Sequence, residues 1–247
     1  PEAVTDPGPQ ILNMAARDNR AYARQFVAPL FQHLIHDLDL RSVRYFNPIN
    51  EPMEYGVYQT PPDAPPALVH YVDMYRQIRA ALDDIGIDRH RLGLVGIDGS
   101  FPIPLLLEQL THGIDIDPHL DAYAVHHYDL KLDHLPSKPF PEKPPGYFAS
   151  GIRGAIETHD ATLLTYTRSR SKPLWALEMG TFYYGKFDTP EGVASLDACL
   201  TVSEAIIRAV NLGITTFCIW SLLNPNDVDG HWAVLGLQNG RLVKHRY

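Results

Sequence analysis

Residues 174–180 read Leu-Trp-Ala-Leu-Glu-Met-Gly, an apolar run that is interrupted by a single acid, Glu178. The run over residues 174–177 is short and unbroken, which is typical of a strand that is buried on both faces of a parallel sheet. A long helical pattern follows over residues 193–212, and Gly213 ends it. A strand that ends at a carboxylate and is followed by a helix is one unit of an alternating α/β fold.

The same alternation extends in both directions along the chain. Strand-like runs cover residues 43–48, 92–97, 122–126, 174–177 and 215–220, and helical spacing covers residues 21–37, 66–85, 152–169 and 193–212. The tail, residues 232–245, is typical of a hairpin about Asn239-Gly240, a dipeptide that favours tight turns. Strands that alternate with helices predict βαβ units and a parallel sheet.

Each predicted strand ends at or next to a side chain that can contribute to a binding or catalytic site. These residues are Glu51, Asp98, His126, Glu178 and Trp220. A (β/α)8 barrel carries its active site at the C-terminal ends of its strands, with contributions from several successive strands. A doubly wound open sheet is the competing architecture, but it would gather such residues at one switch point. The spread over five strands favours the barrel.

Composition bounds the class of protein. The chain has 247 residues, of which 45% are hydrophobic, and its net charge is -8, so it is long enough for one barrel domain of about 250 residues. The acidic net charge argues against a nucleic-acid partner and against binding to a membrane surface. The sequence has no apolar run of about 18 residues, so no membrane span is predicted. Two distant cysteines, Cys199 and Cys218, predict neither a disulfide framework nor a metal site. We expect no cofactor and no metal, and the sequence does not indicate the compartment.

Glu51 and Glu178 have the chemistry that cleavage of a glycosidic bond requires. Cleavage with retention of configuration needs two carboxyl groups about 5–5.5 Å apart, one protonated and one ionised. Strands that face each other across the mouth of a barrel can supply such a pair, however far apart the residues are in sequence. The pair therefore indicates a carbohydrate substrate.

Four segments of the chain together resemble one group of enzymes. The segments are Phe46-Asn47-Pro48-Ile49-Asn50-Glu51-Pro52, His126-His127-Tyr128, residues 174–180 and Cys218-Ile219-Trp220-Ser221. In order and spacing they resemble the ends of the fourth, sixth, seventh and eighth strands of clan A glycoside hydrolases, the cellulase and β-xylosidase-like superfamily. This resemblance implies a (β/α)8 TIM barrel that hydrolyses β-linked O-glycosidic bonds. The expected mechanism is a double displacement that retains the configuration of the sugar.

The resemblance also implies roles for the matching residues around the bond that is cleaved. Glu51 would be the general acid and base, and Glu178 would be the nucleophile. Asn50 would donate a hydrogen bond to the 2-hydroxyl of the sugar, a contact that strengthens in the oxocarbenium-like transition state.

Three further residues would complete the sugar subsite. By the same resemblance, Tyr128 would orient the nucleophile, His126 would line the subsite, and Trp220 would stack under the sugar ring. A tryptophan at a strand end also fits a plain core position, and only its place beside the other motifs favours the sugar-binding interpretation.

One departure from the resemblance concerns the start of the barrel. Only one predicted helix, residues 21–37, precedes the strand that ends at Glu51, and residues 1–20 are loop-like. The chain therefore resembles about the last five-eighths of a barrel, strands 4–8 plus a C-terminal hairpin. We expect residues 1–247 to form one catalytic barrel domain that lacks the first three βα units, so that the missing N-terminal barrel segment is a partner of the chain.

Two other classes of protein fit parts of the sequence. A non-catalytic carbohydrate-binding protein on a degenerate barrel fits the absent strands. A metal-dependent hydrolase fits Asp98, His126 and His127 as ligands, although neighbouring residues of a strand point to opposite faces and no third ligand stands at the usual spacing. Taken alone, Glu178 also fits a buried ion-pair partner, and Asn50-Glu51-Pro52 fits the start of a helix.

Overall fold

A computed structural model of the chain describes residues 18–50, 67–98, 115–128, 161–168, 170–180, 196–219, 235–238 and 241–244. Its strands are β1 (Tyr45–Phe46), β2 (Gly93–Gly96), β3 (Ala122–Tyr128), β4 (Leu174–Gly180), β5 (Phe217–Ile219), β6 (Leu235–Gln238) and β7 (Arg241–Lys244). Its helices are α1 (residues 19–37), α2 (Ala67–Asp84), α3 (Ala161–Arg168) and α4 (Leu196–Leu212), and a short 3-10 helix spans Asp117–His119. The alternation of strands and helices predicted from the sequence is confirmed.

Five of the strands are parallel and follow one another in the order β1-β2-β3-β4-β5. Tyr45 of β1 is paired with Gly93 of β2, and Val95 of β2 is paired with Ala122 of β3. The last two strands, β6 and β7, form a separate antiparallel pair. The predicted parallel α/β sheet and the predicted hairpin are therefore both confirmed.

The chain divides into two compact units, Pro1–Tyr123 and Ala124–Tyr247. The first unit holds α1, β1, α2 and β2, and the second holds α3, β4, α4, β5 and the hairpin, with the division falling inside β3. The described residues of β2 are all buried, as are residues 122–126 of β3. Burial of whole strands is the reason that these segments are nearly continuous apolar runs rather than alternating ones.

Helix α2 supplies much of the core of the first unit. Its buried residues recur at intervals of three and four, and they are Tyr71, Met74, Tyr75, Ile78, Ala81 and Leu82. The hydroxyl of Tyr75 donates to the carbonyl of Val95 at 2.8 Å, which ties the helix to β2. The same ring lies so close to Gly96 that a side chain there would collide with the Tyr75 hydroxyl. The close approach therefore requires glycine at this position of β2.

Helix α1 is wound unusually widely. Asp18 is its N-cap residue, and the Asp18 carboxylate accepts a hydrogen bond from the backbone N–H of Ala21 at 2.8 Å. Two stretches, Tyr22–Val27 and Gln32–Asp37, are π-helical. They lie on either side of Pro29, which has no backbone N–H to donate. The helix itself is predicted by the sequence, whereas its winding is not.

Tyr22 connects α1 to the segment that follows β1. Its hydroxyl donates to the carbonyl of Pro48 at 2.9 Å in a buried hydrogen bond. Pro48 and Ile49 are buried, and Asn50 is exposed. The bond therefore anchors the chain two residues before Asn50, at the end of the strand where functional residues are predicted.

Replacing Tyr22 with phenylalanine is expected to lower the free energy of unfolding by about 1–3 kcal/mol at neutral pH, because the buried Pro48 carbonyl loses its donor. Burial raises the pKa of Tyr22 from 10.0 to about 12. A raised pKa means that the stabilisation is fully present below pH 10 and is lost as the pH rises toward 12, at about 1.4 kcal/mol per pH unit. Urea unfolding of both proteins between pH 8 and about 12 measures this difference.

The matched control for this prediction is Tyr45→Phe, since Tyr45 is a tyrosine that is 52% exposed. We expect its free energy of unfolding to stay within about 0.5 kcal/mol of the wild-type value. The loss of unfolding free energy in Tyr22→Phe, relative to wild type, should shrink toward pH 12. If that loss were as large there as at neutral pH, the buried phenol would not titrate as described.

Helix α4 of the second unit has a well-defined C-terminal end. Helix α4 ends where Gly213 adopts φ +99°, a conformation that favours glycine. The N–H groups of Gly213 and Ile214 both donate to the carbonyl of Ala209, at 3.1 and 3.0 Å. Ile214 is fully buried, so the turn leads directly back into the core and on to β5. The predicted stop at Gly213 is confirmed.

Candidate active site

Two of the predicted site residues lie side by side in the second unit. His126 of β3 and Glu178 of β4 approach each other with 3.5 Å between Nδ1 of the imidazole and Oε2 of the carboxylate. The side chain of His126 is 1% exposed, and that of Glu178 is 14% exposed. The slightly exposed carboxylate of Glu178 therefore lies next to the fully buried imidazole of His126.

Both residues lie inside their strands rather than after them. The sequence predicts that one strand ends at His126 and the other just before Glu178, whereas β3 continues to Tyr128 and β4 continues to Gly180. The extension of β4 has a physical reason, because Met179 and Gly180 are buried and still belong to the sheet. Glu178 is consequently held by strand backbone on both sides instead of standing at the start of a loop.

The register of β4 against β5 shifts in the segment that contains Glu178. Ala176 pairs with Phe217 and Met179 pairs with Ile219, so β4 advances three residues while β5 advances two. One extra residue is therefore accommodated between Ala176 and Met179, the segment that contains Glu178. Bulges bend a strand and redirect a side chain, and they are frequent next to active sites.

The imidazole of His126 can donate a hydrogen bond toward the carboxylate of Glu178. The ring nitrogen of a histidine carries a proton in the imidazolium form and in one of the two neutral tautomers, so Nδ1 can donate toward Oε2. A separation of 3.5 Å is longer than a strong hydrogen bond. Such contacts are often loose without substrate and tighten when a substrate is bound.

The remaining predicted residues are placed as follows. Asn50 lies in a bend after β1, is exposed and belongs to the first unit. Tyr128 is the last residue of β3, and its side chain lies outside the described part of the structure. Glu51 and Trp220 lie outside the described residues. The structure therefore brings His126 and Glu178 together, and the roles of all six residues stay predictions.

Two further polar groups lie near the strand ends of the first unit. Asp98, two residues after β2, is 1% exposed. Asn47 directly follows β1, and within the described part of the chain its side-chain oxygen is buried without a hydrogen-bond partner. In the sequence, Asp98 is a candidate because it follows a buried strand, whereas Asn47 lies in the Phe46–Pro52 segment without an assigned role. The contact between His126 and Glu178 has no sequence signal, because pairing between strands is not visible in either segment alone.

Two features of the described residues bear on other classes of protein. No group of three histidine, cysteine, aspartate or glutamate side chains there is placed to hold a metal ion. Within the same residues, no helix combines the length and the apolar character that crossing a membrane requires.

Comparison with known proteins gives matches among solved structures alone. No protein-family model matches the chain. No curated protein matches it either. SrfJ from Salmonella typhimurium is similar with a TM-score of 0.55 and 15% identity over 93% of this chain and 45% of its own. Fpglu1 from Fervidobacterium pennivoraus is similar with a TM-score of 0.54 and 16% identity over 95% of this chain and 59% of its own. A β-glucosidase from Exiguobacterium marinum is similar with a TM-score of 0.51 and 11% identity, over 91% of this chain and 67% of its own.

These likenesses concern the fold. The chain has an α/β fold like that of part of a (β/α)8 barrel, which confirms the fold that the four sequence segments imply. It spans 45% of the length of SrfJ and 59% of that of Fpglu1, about half of the chains that it matches. The strands described here thus correspond to part of such a barrel.

Proposed function

We propose that this chain belongs to the catalytic domain of a retaining hydrolase that cleaves β-linked O-glycosides. The observation that carries the proposal is the placement of Glu178 at the register shift of β4, partly exposed and 3.5 Å from buried His126. The fold, and its similarity to that of the β-glucosidase from Exiguobacterium marinum, support a β-linked carbohydrate as the substrate.

In the first step of the proposed reaction, Glu178 is the nucleophile. One oxygen of its ionised carboxylate attacks the anomeric carbon, and the bond from that carbon to the glycosidic oxygen breaks. Glu51, protonated, gives its proton to the departing oxygen, so the leaving group departs as a neutral alcohol. The product of this step is a glycosyl ester of Glu178.

In the second step, water completes the hydrolysis. Glu51, now ionised, removes a proton from a water molecule, whose oxygen attacks the anomeric carbon. The bond to Glu178 breaks, and the carboxylate returns to its starting state. Two inversions at one carbon leave the sugar with its original configuration.

Substrate binding in this proposal is assigned to residues around the pair. Asn50 donates to the 2-hydroxyl, and Trp220 stacks on the apolar face of the sugar ring. Tyr128 shares the same subsite at the end of β3. Their support is the order and spacing of the sequence motifs, together with the exposed position of Asn50 after β1.

The proposed function is tested with the full-length protein and a panel of 2,4-dinitrophenyl β-glycosides of glucose, xylose and glucuronic acid. We expect hydrolysis of at least one of them, with the β-anomer of the free sugar appearing first in ¹H NMR spectra before mutarotation. Initial release of the α-anomer would contradict a double displacement. Binding of a sugar by calorimetry without any hydrolysis would instead favour a non-catalytic carbohydrate-binding protein.

A further inference from the structure

We infer that Tyr22 is a positioning residue for Asn50 that acts through the carbonyl of Pro48, an inference that rests on the proposed function. The proposed function assigns Asn50 to the 2-hydroxyl of the sugar, and Asn50 follows Pro48 by two residues. The Tyr22 hydroxyl donates to the Pro48 carbonyl at 2.9 Å in a buried hydrogen bond. Removal of this one hydroxyl group on α1 is therefore expected to affect the substrate through Asn50.

The segment that carries Asn50 lies beyond the paired part of the sheet. The pairing of β1 with β2 reaches Phe46, opposite Leu94, and Pro48 has no backbone N–H with which to extend it. Pro48 and Ile49 are buried, whereas Asn50 lies in a bend and is exposed. A side chain that binds a substrate needs neighbours that fix its position, and the bond from Tyr22 fixes the backbone two residues before Asn50.

Tyr22 is itself held in place by its surroundings. It is 3% exposed, and its ring stacks on that of Phe26 with 5.7 Å between the ring centroids. One turn earlier on α1, the side-chain amide of Asn19 donates to the carbonyl of His70 at 2.8 Å and to the carboxylate of Asp73 at 3.1 Å. These two bonds fasten the start of α1 to α2, close to the position of Tyr22.

The bond from Tyr22 completes a ring of contacts within the first unit. Helix α1 is bound to α2, α2 is bound to β2 by the bond from Tyr75 to Val95 at 2.8 Å, and β2 is paired with β1. The bond between Tyr22 and Pro48 joins the end of β1 back to α1. Groups on packed helices and strands are held more precisely than groups on loops, and this bond extends that support to Pro48.

Loss of the Tyr22 hydroxyl has a specific consequence for the proposed reaction. Pro48 and the two residues after it gain freedom to shift, so Asn50 spends less time in the orientation that the sugar requires. A contact with the 2-hydroxyl strengthens in the transition state, so its loss lowers kcat more than it raises KM. A substrate without a 2-hydroxyl has no such contact to lose. The effect of Tyr22 should therefore depend on this one group of the substrate.

The role of Tyr22 is tested in the full-length protein with two substrates, the best 2,4-dinitrophenyl β-glycoside of the panel and its 2-deoxy counterpart. The quantity compared is the ratio of kcat/KM for the parent substrate to that for the 2-deoxy substrate. We expect Asn50→Ala to lower this ratio roughly 100-fold. Tyr22→Phe should lower it about tenfold, through kcat on the parent substrate. The double variant should have the ratio of Asn50→Ala alone, because Tyr22 acts through Asn50.

The matched control is Tyr75→Phe, which removes a buried hydrogen bond from a phenol to a backbone carbonyl in the same unit. It should also unfold at a lower urea concentration than wild type, yet keep the wild-type ratio within about twofold. Each variant is assayed at a temperature at which its urea unfolding curve shows it to be folded. In place of Tyr22, 4-aminophenylalanine keeps an N–H donor at the end of the ring, and it should restore most of the ratio.

The outcomes distinguish this inference from the proposed function. An unchanged ratio in Tyr22→Phe, or an equal fall in Tyr75→Phe, would overturn the role of Tyr22 while the hydrolase stands. A double variant whose ratio falls well below that of Asn50→Ala would mean that Tyr22 acts by another route, which would overturn it too. A wild-type protein that hydrolyses no member of the panel overturns the proposed function, and this inference falls with it.

Discussion

Replacing Glu178 with alanine is expected to reduce the hydrolysis of 2,4-dinitrophenyl β-glycosides by roughly 10⁵-fold or more, as removal of a covalent nucleophile typically does. The leaving group of these substrates departs without help from an acid, so the loss isolates the nucleophilic step. Initial rates from the absorbance of released dinitrophenolate measure it directly.

Azide is expected to restore activity to this variant. Alanine leaves a space at the register shift of β4 where the carboxylate stood, and a small anion can enter it. Azide then attacks the anomeric carbon in place of Glu178, and the product is a glycosyl azide instead of the free sugar. A rate that rises with azide concentration shows that the variant is folded and lacks only its nucleophile.

The matched control is Glu204→Ala, the same substitution on the surface of α4. Glu204 pairs with Arg208 at 2.7 Å, and its side chain is 43% exposed. We expect its hydrolysis rate to remain within about twofold of wild type, since exposed ion pairs contribute little. Full activity in Glu178→Ala, or an equal loss in both variants, would remove Glu178 from the mechanism.

Replacing Glu51 with alanine is expected to have the second-largest effect, and its size should depend on the leaving group. With an unactivated substrate such as methyl β-glycoside, the first step loses its acid, and we expect a loss of roughly 10²–10⁴-fold. With a dinitrophenyl substrate, that step needs no proton, so the glycosyl ester of Glu178 forms and accumulates because its hydrolysis lacks a base.

Two measurements check this prediction. A burst of dinitrophenolate followed by a slow steady state indicates the accumulated ester, and azide should accelerate the slow phase. Equal losses for both leaving groups would contradict the role of Glu51 as general acid and base. The Glu204→Ala protein again serves as the control, with no burst beyond that of wild type.

Much of the fold can be predicted from the sequence because its strands are apolar on both faces. The runs around Leu94 and Val125 are buried as predicted, whereas Trp175 and Leu177 on either side of buried Ala176 are half-buried. Gly213 ends α4 where a left-handed residue is needed. Strand β1 is shorter than the predicted run over residues 43–48. Pro48 has no N–H with which to continue a ladder, so the pairing stops at Phe46.

The details of the candidate site depend on contacts between strands, and the sequence does not show these. Whether Nδ1 of His126 meets Glu178 depends on the register of β3 beside β4 and on the register shift between Ala176 and Met179. A one-residue change of register would turn each side chain to the opposite face. The motifs therefore identify the residues, and the packing of the strands decides which of them meet.

The anchor between Tyr22 and Pro48 is a second feature without a local signal. Tyr22 stands at a helical position that fits a plain core residue, and nothing in its neighbours indicates a partner 26 residues away. The π-helical winding that begins at Tyr22 is equally absent from the sequence pattern. Both arise from tertiary packing, which overrides local preference.

The most direct test of the central claim, that Glu178 is the nucleophile and Glu51 the acid and base, is the configuration of the glycosyl azide that each alanine variant makes from a β-glycoside. In Glu178→Ala, azide displaces the leaving group once, and ¹H NMR should show the α-azide. In Glu51→Ala, azide displaces Glu178 from the glycosyl ester, a second inversion that gives the β-azide. An α-azide from Glu51→Ala together with a β-azide from Glu178→Ala would contradict the account by reversing the two roles.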